Sequence, residues 1–264
     1  MQLGISTVRM RSCGMSPLMS PVRRGCAIAA IAVVAAGCSP DPIAWGAVEY
    51  IETDIAAGTA APADEQLCGV TEVQHGDVRY RAGWNAQTGA LTVMRSADGG
   101  SSWEGPVIPD ARESPELPCR RIPPSLFADS GNGFLHVAYF VEAAGGAGVY
   151  YVHSMDAARL TQAGPGMFEQ PVALTYGRRP ARTSVASRGD TVIVAYEDPN
   201  SARGGIQLAI SSKAGHSFDS RVALPGGAGA VALPHVELAA GRVMVTWREM
   251  TGGSRTLRRS GSFR

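Results

Sequence analysis

The sequence predicts an all-β fold, and three observations carry that prediction. The 264 residues include 32 glycines and 17 prolines, a content typical of a chain with many turns. A short strand that ends in an aromatic residue recurs at Trp84, Tyr139, Tyr196 and Trp247, at intervals of 55, 57 and 51 residues. Each interval has room for four short strands, which is the content of one propeller blade. We therefore predict a β-propeller of about four four-stranded antiparallel blades.

Further strands follow in a fixed order. Each aromatic strand alternates large and small residues, as a half-buried strand does. A second apolar strand and then a serine come after each of them, at Leu91–Arg95, Val149–His153, Ile206–Ile210 and Thr256–Arg259. The last unit stops after its third strand, whereas residues 47–53 form a strand without a partner. We expect this N-terminal strand to complete the last blade and close the ring, which would remove exposed edges.

The first 37 residues have the pattern of an export signal. Arg23 and Arg24 precede an apolar run over 26–36 that is too short to span a bilayer. The run ends in Ala35-Ala36-Gly37-Cys38, which resembles a bacterial lipobox. The resemblance implies a signal peptide over 1–37, a lipid on Cys38, a tether over 38–46 and a domain over 47–264. It also implies a location at the bacterial cell envelope, in the outer membrane, at the surface or in the periplasm; ordinary signal cleavage is the alternative.

Export changes the interpretation of the cysteines. Removal of the signal and lipidation of Cys38 leave Cys68 and Cys119, and an oxidising compartment favours a disulfide between them. Metal binding is the weaker alternative, because the sequence has no Cys-x-x-Cys or His-x-x-x-His motif. The five histidines are scattered along the chain, and we expect His136 and His153 to be packed or surface residues. The sequence thus predicts neither a metal site nor a cofactor.

Two segments share a turn motif that is typical of one protein family. The first reads Ser96-Ala97-Asp98-Gly99-Gly100-Ser101-Ser102-Trp103 and the second Ser211-Ser212-Lys213-Ala214-Gly215-His216-Ser217-Phe218. The pattern resembles the Asp box, or bacterial neuraminidase repeat, of sialidase-like β-propellers, and Ser154–Asp156 and Ser260–Phe263 resemble eroded copies. The resemblance implies a structural role for the box residues, which are Ser96, Asp98, Gly100, Trp103, Ser211, Gly215 and Phe218. A calcium site at Asp98 is the alternative, but no Asp-x-Asp-x-Asp loop supports it.

Arg121-Ile122-Pro123 resembles the segment that opens the catalytic propeller of sialidases. The resemblance implies that the Arg121 guanidinium would help to clamp the substrate carboxylate. Residues 143–150 contain no carboxylate where the family has its acidic aspartate. Sialidase catalytic domains use six blades, for which the 227 residues from Cys38 onward are too few. A purely structural role for Arg121 is therefore the preferred interpretation.

A second set of polar residues lies at the end of the third repeat unit. It comprises Tyr196, Glu197, Asp198 and Arg203, and loops on one face of a propeller can line a pocket; an ordinary solvated loop is the alternative. Without the four signal arginines the chain is weakly acidic, and it has no nucleotide-binding loop, so we expect no nucleic-acid partner. The sequence favours a non-catalytic propeller that binds a glycan or a protein. The alternative is an exo-sialidase-type glycoside hydrolase that acts on sialoglycans.

Overall fold

Sixteen β-strands make up almost all of the regular structure among the residues that the computed structural model describes. The model describes residues 41–52, 66–143, 146–160, 167–201, 204–224, 230–250 and 253–264. The predicted signal, Cys38 and Arg203 lie outside these residues. No helix among the described residues is both long and apolar enough to cross a membrane.

The strands form four antiparallel sheets of four, as the repeat predicted. In chain order they are β1 Ile43–Ile51, β2 Leu67–His75, β3 Val78–Asn85, β4 Leu91–Ser96, β5 Glu104–Asp110, β6 Ser125–Ala128, β7 Leu135–Ala143, β8 Gly146–His153, β9 Val172–Tyr176, β10 Thr183–Arg188, β11 Thr191–Glu197, β12 Ile206–Ser211, β13 Ser220–Leu224, β14 Val231–Ala239, β15 Arg242–Glu249 and β16 Arg255–Phe263. The first sheet is β2–β5, the second β6–β9 and the third β10–β13. The fourth has the order β1-β16-β15-β14. This arrangement is propeller-like.

The recurring aromatic residues lie on the second strand of each sheet and are all buried: Trp84, Tyr139, Tyr196 and Trp247. Alternation along a strand explains how one strand serves two interfaces, because successive side chains point to opposite faces. On β7, Val137 and Tyr139 face the core shared with the first sheet, whereas Ala138 and Phe140 face the core shared with the third. A further core lies between the third and fourth sheets. The sheets therefore pack face to face in chain order.

The N-terminal strand supplies the fourth strand of the last sheet. β1 pairs antiparallel with β16 over Ile43–Ile51, opposite Thr256–Phe263. It begins at Ile43, four residues before the predicted 47, so the segment predicted as a tether already contributes to the sheet. Contacts between first strands join the sheets in the order β2, β6, β10, β14. Closure of a ring between the first and fourth sheets stays a prediction.

A disulfide joins Cys68 on β2 to Cys119, which lies in the short 3-10 turn Pro118–Arg120. It links the first strand of the first sheet to the connection that leads into the second sheet. The predicted pairing is confirmed. Nearby, the indole nitrogen of Trp84 donates a hydrogen bond of 2.8 Å to the carbonyl of Ile122, so the two sheets are tied together at this point.

The two turns that resemble Asp boxes connect the third and fourth strands of the first and third sheets; we call Ser96–Trp103 the first box and Ser211–Phe218 the second box. The prediction that Ser260–Phe263 is an eroded box is wrong. These residues continue β16 as a strand, because the partner strand β1 offers them backbone hydrogen-bonding groups. The fourth sheet draws its outermost strand from the other end of the chain, so no turn is needed there.

Candidate functional site

Arg121, for which the sialidase resemblance implies a clamp, binds other groups of the protein itself. Its side chain is buried beneath the loop that joins the first two sheets. The guanidinium donates hydrogen bonds to the carbonyls of Gly89 at 2.5 Å and Glu116 at 3.0 Å, and it lies 4.9 Å from the ring centre of Trp84. Burial lowers the pKa of Arg121. These contacts hold two loops against each other, which is the structural role preferred above.

Tyr196 and Glu197 do not act on each other. They are consecutive on β11, so their side chains point to opposite faces of the sheet. Tyr196 is fully buried, and burial raises the pKa of its phenol. The Glu197 carboxylate accepts hydrogen bonds from the backbone amides of Ala181 at 2.9 Å and Leu233 at 3.0 Å, while burial raises its pKa. Glu197 therefore links the third and fourth sheets.

Asp198 belongs to a turn. Its Oδ1 accepts a hydrogen bond of 2.9 Å from the amide of Asn200, in the connection between β11 and β12. Arg203, the last member of this predicted group, lies outside the described residues. Among the described members of the predicted set, Arg121, Glu197 and Asp198 bind backbone groups, whereas the phenol of Tyr196 is buried and interacts with the guanidinium of Arg221.

A polar cluster that the sequence did not reveal lies where the first sheet meets the second. Asp110, the last residue of β5, accepts hydrogen bonds from the Tyr139 hydroxyl at 2.6 Å and from the Arg112 Nε at 2.9 Å. The guanidinium of Arg112 also lies 3.6 Å from the ring centre of Tyr150 on β8. The cluster is anchored on the buried Tyr139 and reaches solvent through Arg112, whose side chain is 33% exposed.

The electrostatics of this cluster favour binding over nucleophilic chemistry. Burial raises the pKa of Tyr139 well above its ordinary value, so the phenol stays protonated. Burial opposes ionisation of Asp110, but hydrogen bonds from Arg112 and Tyr139 outweigh it and lower the pKa of that carboxyl. The result is a fixed carboxylate that holds Arg112 in one orientation.

Beside it, an exposed aromatic residue extends the cluster toward solvent. Tyr176, the last residue of β9, is 57% exposed and meets Tyr150 edge-on, with 6.3 Å between ring centres. Gly148 on β8 makes room for it, because a Cβ there would lie 3.2 Å from the Tyr176 ring and 2.6 Å from the carbonyl oxygen of Thr175. We call Arg112, Tyr150 and Tyr176 the Tyr176 patch. In the sequence, the signal for this patch is the run of small residues at the start of β8, which lies opposite the aromatic residue that ends β9.

At the other end of β8 the structure brings together residues with metal-ligand chemistry. His153, Glu169 and His216 place one possible ligand atom each within 4.8 Å of one another. We call these three residues the histidine cluster. The histidines are scattered along the chain, but folding brings His153 and His216 together, and His136 and His153 are packed as expected. Burial lowers the pKa of His136 to about 3 and also lowers the pKa of His153.

No family model matches the chain, and no curated protein matches it. Among solved structures, the chain is similar to a protein of unknown function from Dyadobacter fermentans, with a TM-score of 0.51 and 16% identity over 74% of this chain and 53% of that one. The chain thus spans about half the length of that protein. It is also similar to a GH43 endo-arabinanase from Bacillus licheniformis (TM-score 0.42, 14% identity, 71% of this chain and 67% of that chain). The NanB sialidase from Streptococcus pneumoniae has a TM-score of 0.46 and 12% identity, over 75% of this chain and 31% of that chain. The first similarity concerns the fold alone.

Proposed function

We propose that the chain is a lipid-anchored protein of the bacterial cell envelope that binds carbohydrate at the Tyr176 patch without cleaving it. The observation that carries the proposal is that an exposed tyrosine, Tyr176, and an arginine held by a buried carboxylate, Arg112, both contact the same ring, Tyr150. We prefer a glycan to a protein as the ligand, because a tyrosine ring and a guanidinium are both suited to binding a sugar.

A tyrosine ring suits a sugar because its apolar face packs against the C–H groups of a pyranose while its hydroxyl remains in water. The guanidinium of Arg112 offers hydrogen-bond donors to hydroxyl groups or to the carboxylate of an acidic sugar. Both groups are oriented before binding, Arg112 by Asp110 and Tyr176 by its contact with Tyr150. Little conformational entropy is then lost when a ligand binds.

The proposal that the protein does not cleave its ligand is supported by how the reactive groups are used. A glycoside hydrolase needs an acid that reaches the leaving oxygen and a second group that acts on the sugar. Among the described residues considered above, Tyr139 is buried, Glu197 accepts backbone amides and Arg121 is bound to carbonyls. Each is committed to the fold.

Binding can be tested with purified protein on an array of envelope and host glycans. We expect Tyr176→Ala to weaken the affinity for the bound glycan at least about tenfold, as expected for removal of a central aromatic contact. Tyr50→Ala is the matched control, because Tyr50 is also an exposed tyrosine, at 66%, near an arginine, Arg255, but lies on β1. Equal losses in the two variants, or none in either, would contradict the proposed site.

A separate assay tests the proposal that the protein does not cleave glycans. A fluorogenic sialoside incubated with the purified protein should release no fluorophore above the rate in buffer. Release that scales with protein concentration would support the exo-sialidase alternative instead.

The lipid anchor rests on the sequence Ala35-Ala36-Gly37-Cys38 after the apolar run. Cells fed an alkyne fatty acid should label the protein, and Cys38→Ser should abolish the label and release the protein from the membrane fraction. Cys26→Ser, inside the apolar run, is the control and should leave the label unchanged. Labelling of the Cys38→Ser variant would contradict the anchor and would leave the glycan proposal standing.

A further inference from the structure

We propose that the histidine cluster, His153, Glu169 and His216, binds a zinc ion that links the second and third sheets. This site lies at the opposite end of β8 from the Tyr176 patch, and it stands independently of the proposed carbohydrate binding.

The backbone brings the ligands together from distant positions in the sequence. His153 is the last residue of β8, and the amide of Glu169 donates a hydrogen bond of 3.1 Å to the carbonyl of His153. Their side chains therefore start from directly paired backbone. His216 comes from the second box in the next sheet. The three residues thus meet because two sheets pack together.

The ligand atoms lie near the separations that a bound ion would require, within 4.8 Å of one another. One oxygen of Glu169 lies 3.3 Å from the Nε2 of His153, and the other lies 2.8 Å from the Nδ1 of His216. In a tetrahedral zinc site with bonds of about 2.0–2.1 Å, ligand atoms are about 3.4 Å apart. Small side-chain rotations would therefore bring all three atoms onto one ion.

The hydrogen bonding of His153 leaves the correct nitrogen available. Its Nδ1 lies 3.1 Å from the carbonyl of Ser154, which can only accept, so Nδ1 carries the hydrogen. The Nε2 is buried, faces a Glu169 oxygen at 3.3 Å and has no hydrogen-bond partner among the described residues. A cation bound between these two atoms would satisfy both, and a hydrogen bond from the other ring nitrogen to a carbonyl is the usual support of a metal-bound histidine.

The site is rigid on one side and open on the other. His153 is 1% exposed, and Phe134 stacks on its ring at 5.0 Å between centres and 14° between planes. Glu169 and His216 are partly exposed, with side-chain exposures of 33% and 45%. A ligand set of two imidazoles and one carboxylate, with the fourth position facing water, is a set that zinc accepts and that calcium and magnesium do not prefer.

Isothermal titration of zinc into the chelator-stripped, untagged full chain tests the site. We expect one equivalent to bind, and Glu169→Gln and His216→Ala each to weaken binding at least about tenfold. Both residues are partly exposed, so these variants should keep the fold, which circular dichroism would verify. Cobalt substitution should give the visible spectrum of a four-coordinate ion in the wild type only.

A second histidine–carboxylate pair provides the matched control. His235 lies 3.1 Å from Glu237 on β14, and both side chains are exposed. His235→Ala should leave zinc binding unchanged. One equivalent bound equally by wild type, Glu169→Gln and His216→Ala would overturn the proposal, as would a folded wild-type protein that binds no zinc.

Discussion

The first and second boxes share one turn but are stabilised differently. In each, the serine that opens the box accepts a hydrogen bond from the amide of the same glycine: Gly100 to Ser96 at 2.8 Å, and Gly215 to Ser211 at 3.0 Å. Both serines are fully buried. This shared bond closes the turn, and the remaining contacts differ.

The first box is held by its own aspartate. Asp98 accepts hydrogen bonds from Ser96 at 2.7 Å and from both the amide and the hydroxyl of Ser102, at 2.9 and 2.6 Å. The second box has Lys213 in that position and is stabilised by contacts with the second sheet. Phe218 packs edge-on against Tyr151, and the histidine of this box contacts Glu169. A turn without its internal acceptor can thus be stabilised by contacts between sheets.

The largest difference should appear when the shared glycine is replaced. A Cβ at Gly215 would lie 2.0 Å from the hydroxyl oxygen of Tyr151, which is buried in the core, whereas at Gly100 its nearest neighbour would be the flexible end of Arg79 at 3.2 Å. Both glycines have a positive φ, of 95° and 97°. We expect Gly100→Ala to cost about 1–2 kcal/mol through backbone strain, and Gly215→Ala to cost about 3–5 kcal/mol through strain and overpacking together.

Urea denaturation of both variants measures this difference. Gly76→Ala is a control for strain alone, because Gly76 has a φ of 58° and no atom within 4 Å of the added Cβ. Equal losses at positions 100 and 215 would mean that the second box is not packed against Tyr151 as described.

The buried serines test what the two boxes share. Ser96→Ala leaves the Gly100 amide without its acceptor, and Ser211→Ala does the same to the amides of Lys213 and Gly215. An unsatisfied buried polar group costs about 1–3 kcal/mol. We therefore expect each variant to lose about 2 kcal/mol in urea denaturation. A loss at only one of the two serines would contradict a common turn frame.

The exposed Asp98 should stabilise the fold by an amount that depends on pH. Hydrogen bonds from Ser102 and Ser96 hold the pKa of Asp98 well below its ordinary value. A group whose pKa is lowered by folding adds stability above its unfolded pKa of about 4, and this stability is lost as the pH falls through the folded pKa. Asp98→Asn should therefore lower the melting temperature at neutral pH, by less than the serine variants do, and the difference from wild type should shrink in acid.

Lys213→Asn serves as the control, since the second box has no aspartate at this position. Its melting temperature relative to wild type should not follow the same acid dependence. A constant difference between Asp98→Asn and wild type from neutral to acidic pH would show that the Asp98 charge is not what stabilises the first box.

The sequence predicted the parts of the fold that depend on local pattern. Four aromatic residues at a nearly constant interval identified the four sheets, because each is a buried residue of the second strand of its sheet: Trp84, Tyr139, Tyr196 and Trp247. The strand boundary at Ile43 was missed, since Asp41 and Pro42 read as a tether. In the structure the Asp41 carboxylate accepts hydrogen bonds from the Ile43 amide and the Trp45 indole, which fixes the start of the strand.

The sites could not be predicted in the same way, because their residues meet only through packing between sheets. Asp110 and Tyr139 are 29 residues apart, and His216 and Glu169 are 47 apart. Residues so far apart in the sequence form no short motif that could be recognised by its spacing. Conversely, Arg121 lies in a segment that resembles a catalytic one, yet its guanidinium is surrounded by carbonyl oxygens that a sequence does not display.

The smallest expected effect comes from giving the second box the aspartate of the first. Lys213→Asp places an acceptor near the Ser211 hydroxyl and the Ser217 backbone, the positions that serve Asp98 in the first box. It also removes the exposed ion pair between Lys213 and Asp219 at 3.3 Å, which is worth little. We expect a net gain of about 0.5 kcal/mol in urea denaturation, and Lys213→Ala, which only removes the ion pair, should gain nothing. If Lys213→Asp is no more stable than Lys213→Ala, the contacts with the second sheet already satisfy the turn, and the two boxes are alternative solutions that do not add.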